Sequence, residues 1–179
     1  EIPLRLVGSE MCIRDRPNIF ALGDVNGGPQ FTYISMDDYR VVLSQLVGDG
    51  SRSTKDRKAV ASTIYMNPPL SSVGLTEREA IEAGHKVKVA SKPVAAVAAM
   101  PRAKTQENPR GIMKFVIDAQ SDQILGAQLL VVESMEVINL VALAMRHGIT
   151  ASQLRDEIYT HPSITEGLNE VLAVAVPVN

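Results

Sequence analysis

His161-Pro162-Ser163-Ile164-Thr165-Glu166 sets an imidazole and a carboxylate close together in the chain with a proline between them. Histidine takes and gives a proton near neutral pH, and a carboxylate bonded to its other ring nitrogen fixes the tautomer. Proline after the histidine restricts the backbone and is compatible with a cis bond, either of which helps to aim the ring. A plainer reading stands beside this one: Pro162 starts a helix and His161 is a surface residue next to it. The second constellation is Ala21-Leu22-Gly23-Asp24-Val25, followed after the loop Asn26-Gly27-Gly28-Pro29 by Gln30-Phe31-Thr32. A carboxylate at the C-terminal end of a strand can accept a hydroxyl proton from a sugar or ribityl chain. A helix starting near Thr32 would point unpaired backbone N–H groups and its positive end at a polarised carbonyl or an anionic ring. An ordinary Gly-Asp turn is the competing reading here.

The other reactive side chains offer less. His85 follows a glycine helix stop and reads as solvated, whereas His147 suits the negative end of a helix. Histidines this scattered make no metal-ligand pattern, so no metal site is expected. Met135 and Met145 read as core or interface filler. A single cysteine, Cys12, excludes an internal disulfide framework and a zinc site of paired thiols, and this chain alone cannot run dithiol chemistry.

These groups need a scaffold, and the periodicity supplies one. Asn18–Asp24 reads as a short buried strand, and Tyr39, Val42, Leu43 and Leu46 recur at helical spacing in a helix from about Thr32 that Gly48 closes. The polar stretch 49–58 reads as a linker. Beyond it, Ala59–Tyr65, Ser71–Val73 and Lys86–Ala90 read as strands. Thr76 and Glu79 have capping-box spacing at the start of a short helix that Gly84 ends. Ile112–Asp118 and Ile124–Val131 flank a hairpin turn at 119–123. A strongly apolar helix over Ser134–Arg146 and shorter helices over Ala151–Glu157 and Thr165–Ala173 complete the chain. Strands joined by hairpins, with helices gathered at the end, predict an α+β fold with an antiparallel sheet over residues 59–179. The helix holding Val137, Ile138, Leu140, Val141, Leu143 and Met145 is apolar around most of its circumference, and a second subunit is a natural cover for it.

With 179 residues and 45% hydrophobic content, the chain is expected to fold around a sizeable core. A net charge of -2 with acids and bases interspersed excludes a nucleic-acid surface and a polybasic membrane anchor. The apolar runs fall short of the ~20 residues of a membrane helix. The expected protein is soluble and cytoplasmic, with a small molecule or another protein as partner. Residues 1–16 lack sustained periodicity, and the run from Gly8 to Arg16 resembles translated sequencing-adapter DNA. These residues are therefore expected to be a non-native or disordered leader, with native coding sequence starting near Pro17.

Taken in order, Asn18-Ile19-Phe20-Ala21-Leu22-Gly23-Asp24-Val25, Ser72-Val73-Gly74-Leu75-Thr76-Glu77-Arg78-Glu79-Ala80, Gly126-Ala127-Gln128, and Thr160-His161-Pro162 with Glu166 resemble the C-terminal signatures of class I flavoprotein disulfide reductases, the pyridine nucleotide-disulfide oxidoreductases. The resemblance covers essentially everything after residue 16. It implies that residues 17–48 end an FAD-binding domain and that 59–179 form the dimerisation domain of a homodimer. It implies that Gly23 and Asp24 meet the flavin ribityl chain, and that Phe31 and Thr32 open the helix whose amides approach the flavin pyrimidine ring. His161 matches the acid–base histidine that reaches the partner subunit's active site, and Glu166 matches its orienting carboxylate. In the full enzyme NAD(P)H would reduce FAD, and FAD a cysteine pair that reduces the small-molecule substrate. The segment Gly27–Arg40 most resembles the mercuric-reductase-like branch that includes the reactive-chlorine-resistance oxidoreductases, with copper(II) or hypothiocyanous acid among that branch's substrates. The ending Val176-Pro177-Val178-Asn179 has no cysteine pair, which counts against mercury. Neither a Gly-x-Gly-x-x-Gly fingerprint nor a Cys-x4-Cys motif is present, so most of the FAD site, the nicotinamide site and the dithiol lie outside this chain, and the chain alone is expected to be inert. A stand-alone α+β dimerisation or protein-binding module is the rival reading. A His-Glu hydrolase lacks a nucleophile, because Ser163 is too close in sequence to serve His161.

Overall fold

The computed structural model of this chain describes residues 20–98, 100–106 and 108–178. It divides into two units, Glu1–Lys58 and Ala59–Asn179. The expected leader and Cys12 lie outside the described residues, as do Asn18 and Ile19.

In the first unit, a 3-10 turn over Gly23–Asn26 precedes helix α1 (Thr32–Val47). The helix starts at the predicted residue and ends at Gly48, whose N–H donates to the Ser44 carbonyl. The strand expected over Asn18–Asp24 is not formed in its described part: residues 20–22 are irregular, and Gly23 opens the turn. A lone extended segment has no ladder to join, and this unit has no other strand among its described residues. The apolar stripe on α1 is also uncovered, with Tyr39, Leu43 and Leu46 exposed and only Ile34 and Asp38 buried. The polar stretch 49–58 folds back on α1. Ser53 and Asp56 form a capping box around a 3-10 turn, and both Arg52 and Arg57 reach Asp37.

The second unit is built on a six-stranded sheet in the order β1-β2-β5-β4-β3-β6, every pairing antiparallel. The strands are β1 (Ser62–Ile64), β2 (Leu70–Gly74), β3 (Val87–Pro93), β4 (Ile112–Asp118), β5 (Ile124–Leu130) and β6 (Val176–Pro177). The expected strand Ala59–Tyr65 shortens to β1 because it sits at an edge and pairs on one side only. Between the strands lie α2 (Glu77–Glu82), α3 (Pro101–Thr105), α4 (Ser134–Arg146), α5 (Ala151–Asp156) and α6 (Gly167–Leu172). The sequence reading missed α3 and β6, both too short for periodicity to register.

Alternation along β4 explains the layers. Met113, Phe115 and Ile117 point to the main core, where they meet Val137, Ile138 and Val141 of α4 and Leu168 and Val171 of α6. Each such side chain taken out of water stabilises the fold by roughly 1.5–3 kcal/mol. The opposite face carries a small cluster of Ala80, Val87 and Val116 under α2, and Lys114 pairs with Glu77 there at 2.6 Å. Thr76 and Glu79 form the predicted capping box at the start of α2. Helix α4 is less uniformly apolar in space than in sequence. Val137, Ile138, Val141, Ala142 and Ala144 are buried within this chain, while Glu136, Asn139 and Arg146 face outward with Leu143. Its buried side is covered by its own sheet.

Two close approaches hold the sheet's centre and its hairpin. Gly126 faces Gly74 across β2 and β5, and a Cβ added to it would sit 2.0 Å from the Leu75 carbonyl oxygen. Asp122, at the β4–β5 turn, accepts hydrogen bonds from Lys88 Nζ and from the Ser152 N–H at 2.8 Å, docking the turn on the start of α5. Burial works against the Asp122 charge, but the bonds from Lys88 and Ser152 outweigh it and lower its pKa to about 2.

Two outcomes are expected. Gly126→Ala should cost about 3 kcal/mol, seen as a lower urea midpoint, because the methyl group must displace backbone. Since the folded pKa of Asp122 lies below its unfolded value of about 3.9, its stabilisation is present above that pH and lost as pH falls towards about 2. The stability gap between the parent chain and Asp122→Asn should therefore close across that acid window in urea titrations.

Candidate functional site

The segment leading to His161 is tied down before the ring is aimed. Tyr159 donates its hydroxyl to the Leu154 carbonyl at 2.6 Å, and burial first, then the Glu157 charge, raises the phenol's pKa to about 12. Asn169 donates its amide to the carbonyls of Arg155 and Glu157, the latter at 3.0 Å. After the turn, Ile164 and Leu168 enter the main core. The loop that carries His161 thus runs between two short helices whose ends are stitched together.

On that frame His161 Nδ1 meets Glu166 Oε2 at 2.8 Å. The carboxylate oxygen accepts, so the ring donates through Nδ1 and Nε2 is left outward. Nε2 has no hydrogen-bond partner among the described residues. The histidine side chain is 68% exposed while the glutamate is 11% exposed, so a buried carboxylate holds a ring that faces solvent. Pro162 does not start a helix: the peptide before it is cis, and α6 begins at Gly167. Glu166 is held as well. Its Oε1 accepts the Ser163 N–H at 2.8 Å, and its own N–H donates to Ser163 Oγ at 3.2 Å. The arrangement can present one ring nitrogen to a partner and exchange a proton there.

Gly23, Asp24, Phe31 and Thr32 all lie on the loop and helix start of the first unit. Gly23 has φ +72, and a Cβ there would meet Ser35 Oγ at 2.9 Å, so the turn requires glycine. The exposed Asp24 carboxylate accepts no hydrogen bond from the described residues. The N-terminus of α1 has no side-chain cap, and the Thr32 N–H is without an acceptor among the described residues. Phe31 stacks on Tyr33 with ring centroids 5.1 Å apart and planes 8° apart. An open carboxylate acceptor beside an open helix N-terminus fits a group with hydroxyls and an electron-rich ring edge.

The residues that shape this loop were not singled out in the sequence. Asp38, 4% exposed, accepts the Gly23 N–H at 2.7 Å and the Asn26 amide at 2.8 Å, and its other oxygen takes Arg57. Asp37 beside it holds Arg57 and Arg52. Burial opposes its charge, but those guanidinium hydrogen bonds keep Asp37 below the usual carboxylate range. One signal existed: Asp38 stands one helical turn from the buried Ile34, and a carboxylate on a covered stripe implies a dedicated cation. His85, read as solvated, is exposed and also bonded through Nδ1 to Asp118 at 2.9 Å. Asp118 was available because it projects from the β4 end to cap the hairpin turn. An open groove of about 730 Å³ beside α2, lined by Thr76, Arg78, Ile81 and Gln128 among others, contains none of the candidate residues. No metal-binding cluster occurs among the described residues, and no helix there is long and apolar enough to cross a membrane.

An antiparallel sheet with helices on both faces and a projecting His-Glu loop narrows the choice of family, and sequence similarity decides it. The family model for the pyridine nucleotide-disulphide oxidoreductase dimerisation domain matches residues 60–172. The chain belongs to that family. Among pyridine nucleotide-disulphide oxidoreductases it is 50% identical over 157 residues to the probable oxidoreductase RclA of Escherichia coli, covering 88% of this chain and 35% of RclA. It is 34% identical to mercuric reductase of Staphylococcus aureus, covering 84% of this chain and 27% of that enzyme. A solved structure described as the HOCl-induced flavoprotein disulfide reductase RclA from Escherichia coli superposes with a TM-score of 0.84 at 50% identity, over 88% of this chain and 35% of that one. The chain thus spans about a third of the length of these oxidoreductases.

The Asp38 network gives a direct test of how the loop is held. Asp38→Ala should leave the Gly23 N–H and Arg57 without their acceptor. It should speed amide hydrogen exchange at Gly23 at least tenfold, a change that tracks the loss of a buried ion pair.

Proposed function

We propose that this chain is the C-terminal part of an FAD-dependent NAD(P)H oxidoreductase that reduces a disulfide, oxidant or metal-ion substrate through a cysteine pair outside residues 1–179. The observation that carries the reading is the His161–Glu166 pair, which leaves Nε2 outward on a loop of the family's dimerisation domain. In this reading residues 59–179 form a homodimer, and His161 Nε2 takes and returns the proton of a thiol in the partner subunit. Glu166 keeps Nδ1 protonated, so the nitrogen offered to the thiol is always the same one. Residues 17–48 complete an FAD-binding domain and 49–58 link it to the rest. Asp24 would accept a ribityl hydroxyl, and the Thr32 N–H, which has no acceptor among the described residues, would face the flavin ring. FAD, when bound, supplies the electron transfer between NAD(P)H and the cysteines.

The exposed apolar stripe on α1 supports the enzyme reading over a stand-alone module, because a free-standing unit has little reason to leave Tyr39, Leu43 and Leu46 in water. The structure of the RclA relative is described both as HOCl-induced and in a Cu(II) complex. At 50% identity this favours an oxidant-linked or copper substrate class for the present chain.

In the FAD-loaded full-length enzyme, His161→Gln should lower kcat by about 10²-fold or more while the bound flavin's absorbance is retained, the size expected for loss of an acid–base group. Turnover equal to the parent enzyme's would remove His161 from the mechanism.

A further inference from the structure

An imidazole is aimed no better than the carboxylate that holds it, and Glu166 has a holder of its own. We propose that Ser163 is the positioning residue of the His161–Glu166 pair, an inference that rests on the acid–base function proposed above. The two residues close a reciprocal ring, with the Ser163 N–H donating to Glu166 Oε1 at 2.8 Å and the Glu166 N–H donating to Ser163 Oγ at 3.2 Å. This is the Ser-x-x-Glu geometry of a capping box, placed in the turn before α6 rather than around its first residue.

The ring divides the labour of the carboxylate. Oε1 is committed to the turn, so Oε2 is the oxygen presented to His161 Nδ1. Rotating the carboxylate would break both bonds together, and at 11% exposure it has little solvent contact to replace them. The Ser163 hydroxyl keeps the ring closed, because it is the acceptor of the Glu166 N–H among the described residues. Ile164 and Leu168, both buried, fix the backbone on the far side of the turn. Ser163 is itself too near His161 in sequence to act as its nucleophile. Its hydroxyl oxygen accepts the Glu166 N–H, and its effect on the ring passes through Glu166.

Without the hydroxyl, the Glu166 N–H loses its acceptor and the turn loosens. The carboxylate then samples more orientations, Nδ1 is no longer the fixed proton site, and His161 populates both neutral tautomers. Only one of these offers Nε2 as the base.

The test uses the full-length FAD-loaded enzyme with 15N-labelled histidine and two variants of matched shape. Ser163→Thr keeps the acceptor, and Ser163→Val replaces it with a methyl group. Two-bond 1H–15N spectra report the His161 tautomer, and steady-state kinetics report turnover. Ser163→Thr should keep the parent tautomer ratio and kcat. Ser163→Val should give a mixed tautomer population and lower kcat about fivefold at unchanged KM, the range covered by one lost capping bond. Identical spectra and kcat for the two variants would overturn the proposal. If Ser163→Val does not fold, Ser163→Ala compared with Ser163→Thr decides by the same two readings. His161→Gln separates the two levels: full turnover in that variant, with a tautomer shift still seen in Ser163→Val, would discard the acid–base function and leave the positioning role standing.

Discussion

A carboxylate withdrawn from water must have its oxygens occupied, and that requirement organises the functional parts of this chain. Asp38 satisfies it by gathering the Gly23 amide, the Asn26 side chain and Arg57, which shapes the loop bearing Asp24. Glu166 satisfies it with the Ser163 N–H on one oxygen and His161 on the other. Asp122 does the same for the β4–β5 hairpin, joining it to Lys88 and the start of α5. No buried side-chain polar atom lacks a partner among the described residues. In each case the demand for partners pulls together segments that the hydrophobic effect alone would leave free to slide.

The sheet of the second unit supplies the stiffness against which these contacts work. Its central strands bury one row of side chains under α4 and α6 and a thinner row under α2. Gly126 lets the backbone of β5 come within touching distance of Leu75, so strand spacing there is set by hard contact rather than by side-chain volume. The His161 loop leaves this frame between α5 and α6 and returns to it at Ile164. A ring that is mostly exposed can therefore keep a defined direction, because everything behind it is buried or bonded.

Membership of the pyridine nucleotide-disulphide oxidoreductases places that loop on the domain through which the family dimerises. In the first unit the apolar stripe on α1 is exposed, and among the described residues the helix start has no side-chain cap and the Asp24 carboxylate no donor. The chain spans about a third of the length of these relatives.

The sequence by itself determined most of the elements and the spacing of the candidate residues. Ile112–Asp118, Ser134–Arg146 and the Thr76–Glu79 capping box were legible because strand alternation, helical periodicity and local capping are written within a few neighbouring residues. His161 with Glu166, and Asp24 ahead of Thr32, were legible for the same reason, as residue types at short spacing. What needed the tertiary structure were pairings between distant positions. Asp38 with Arg57, His85 with Asp118 and Asp122 with Lys88 depend on which segments the sheet and turns bring together. The missing strand at residues 20–24 and the covered face of α4 have the same origin, since a strand exists only with a neighbour and a helix face is buried only by what packs on it. Local physics chose the pieces, and long-range packing decided which of their polar groups would hold one another in place.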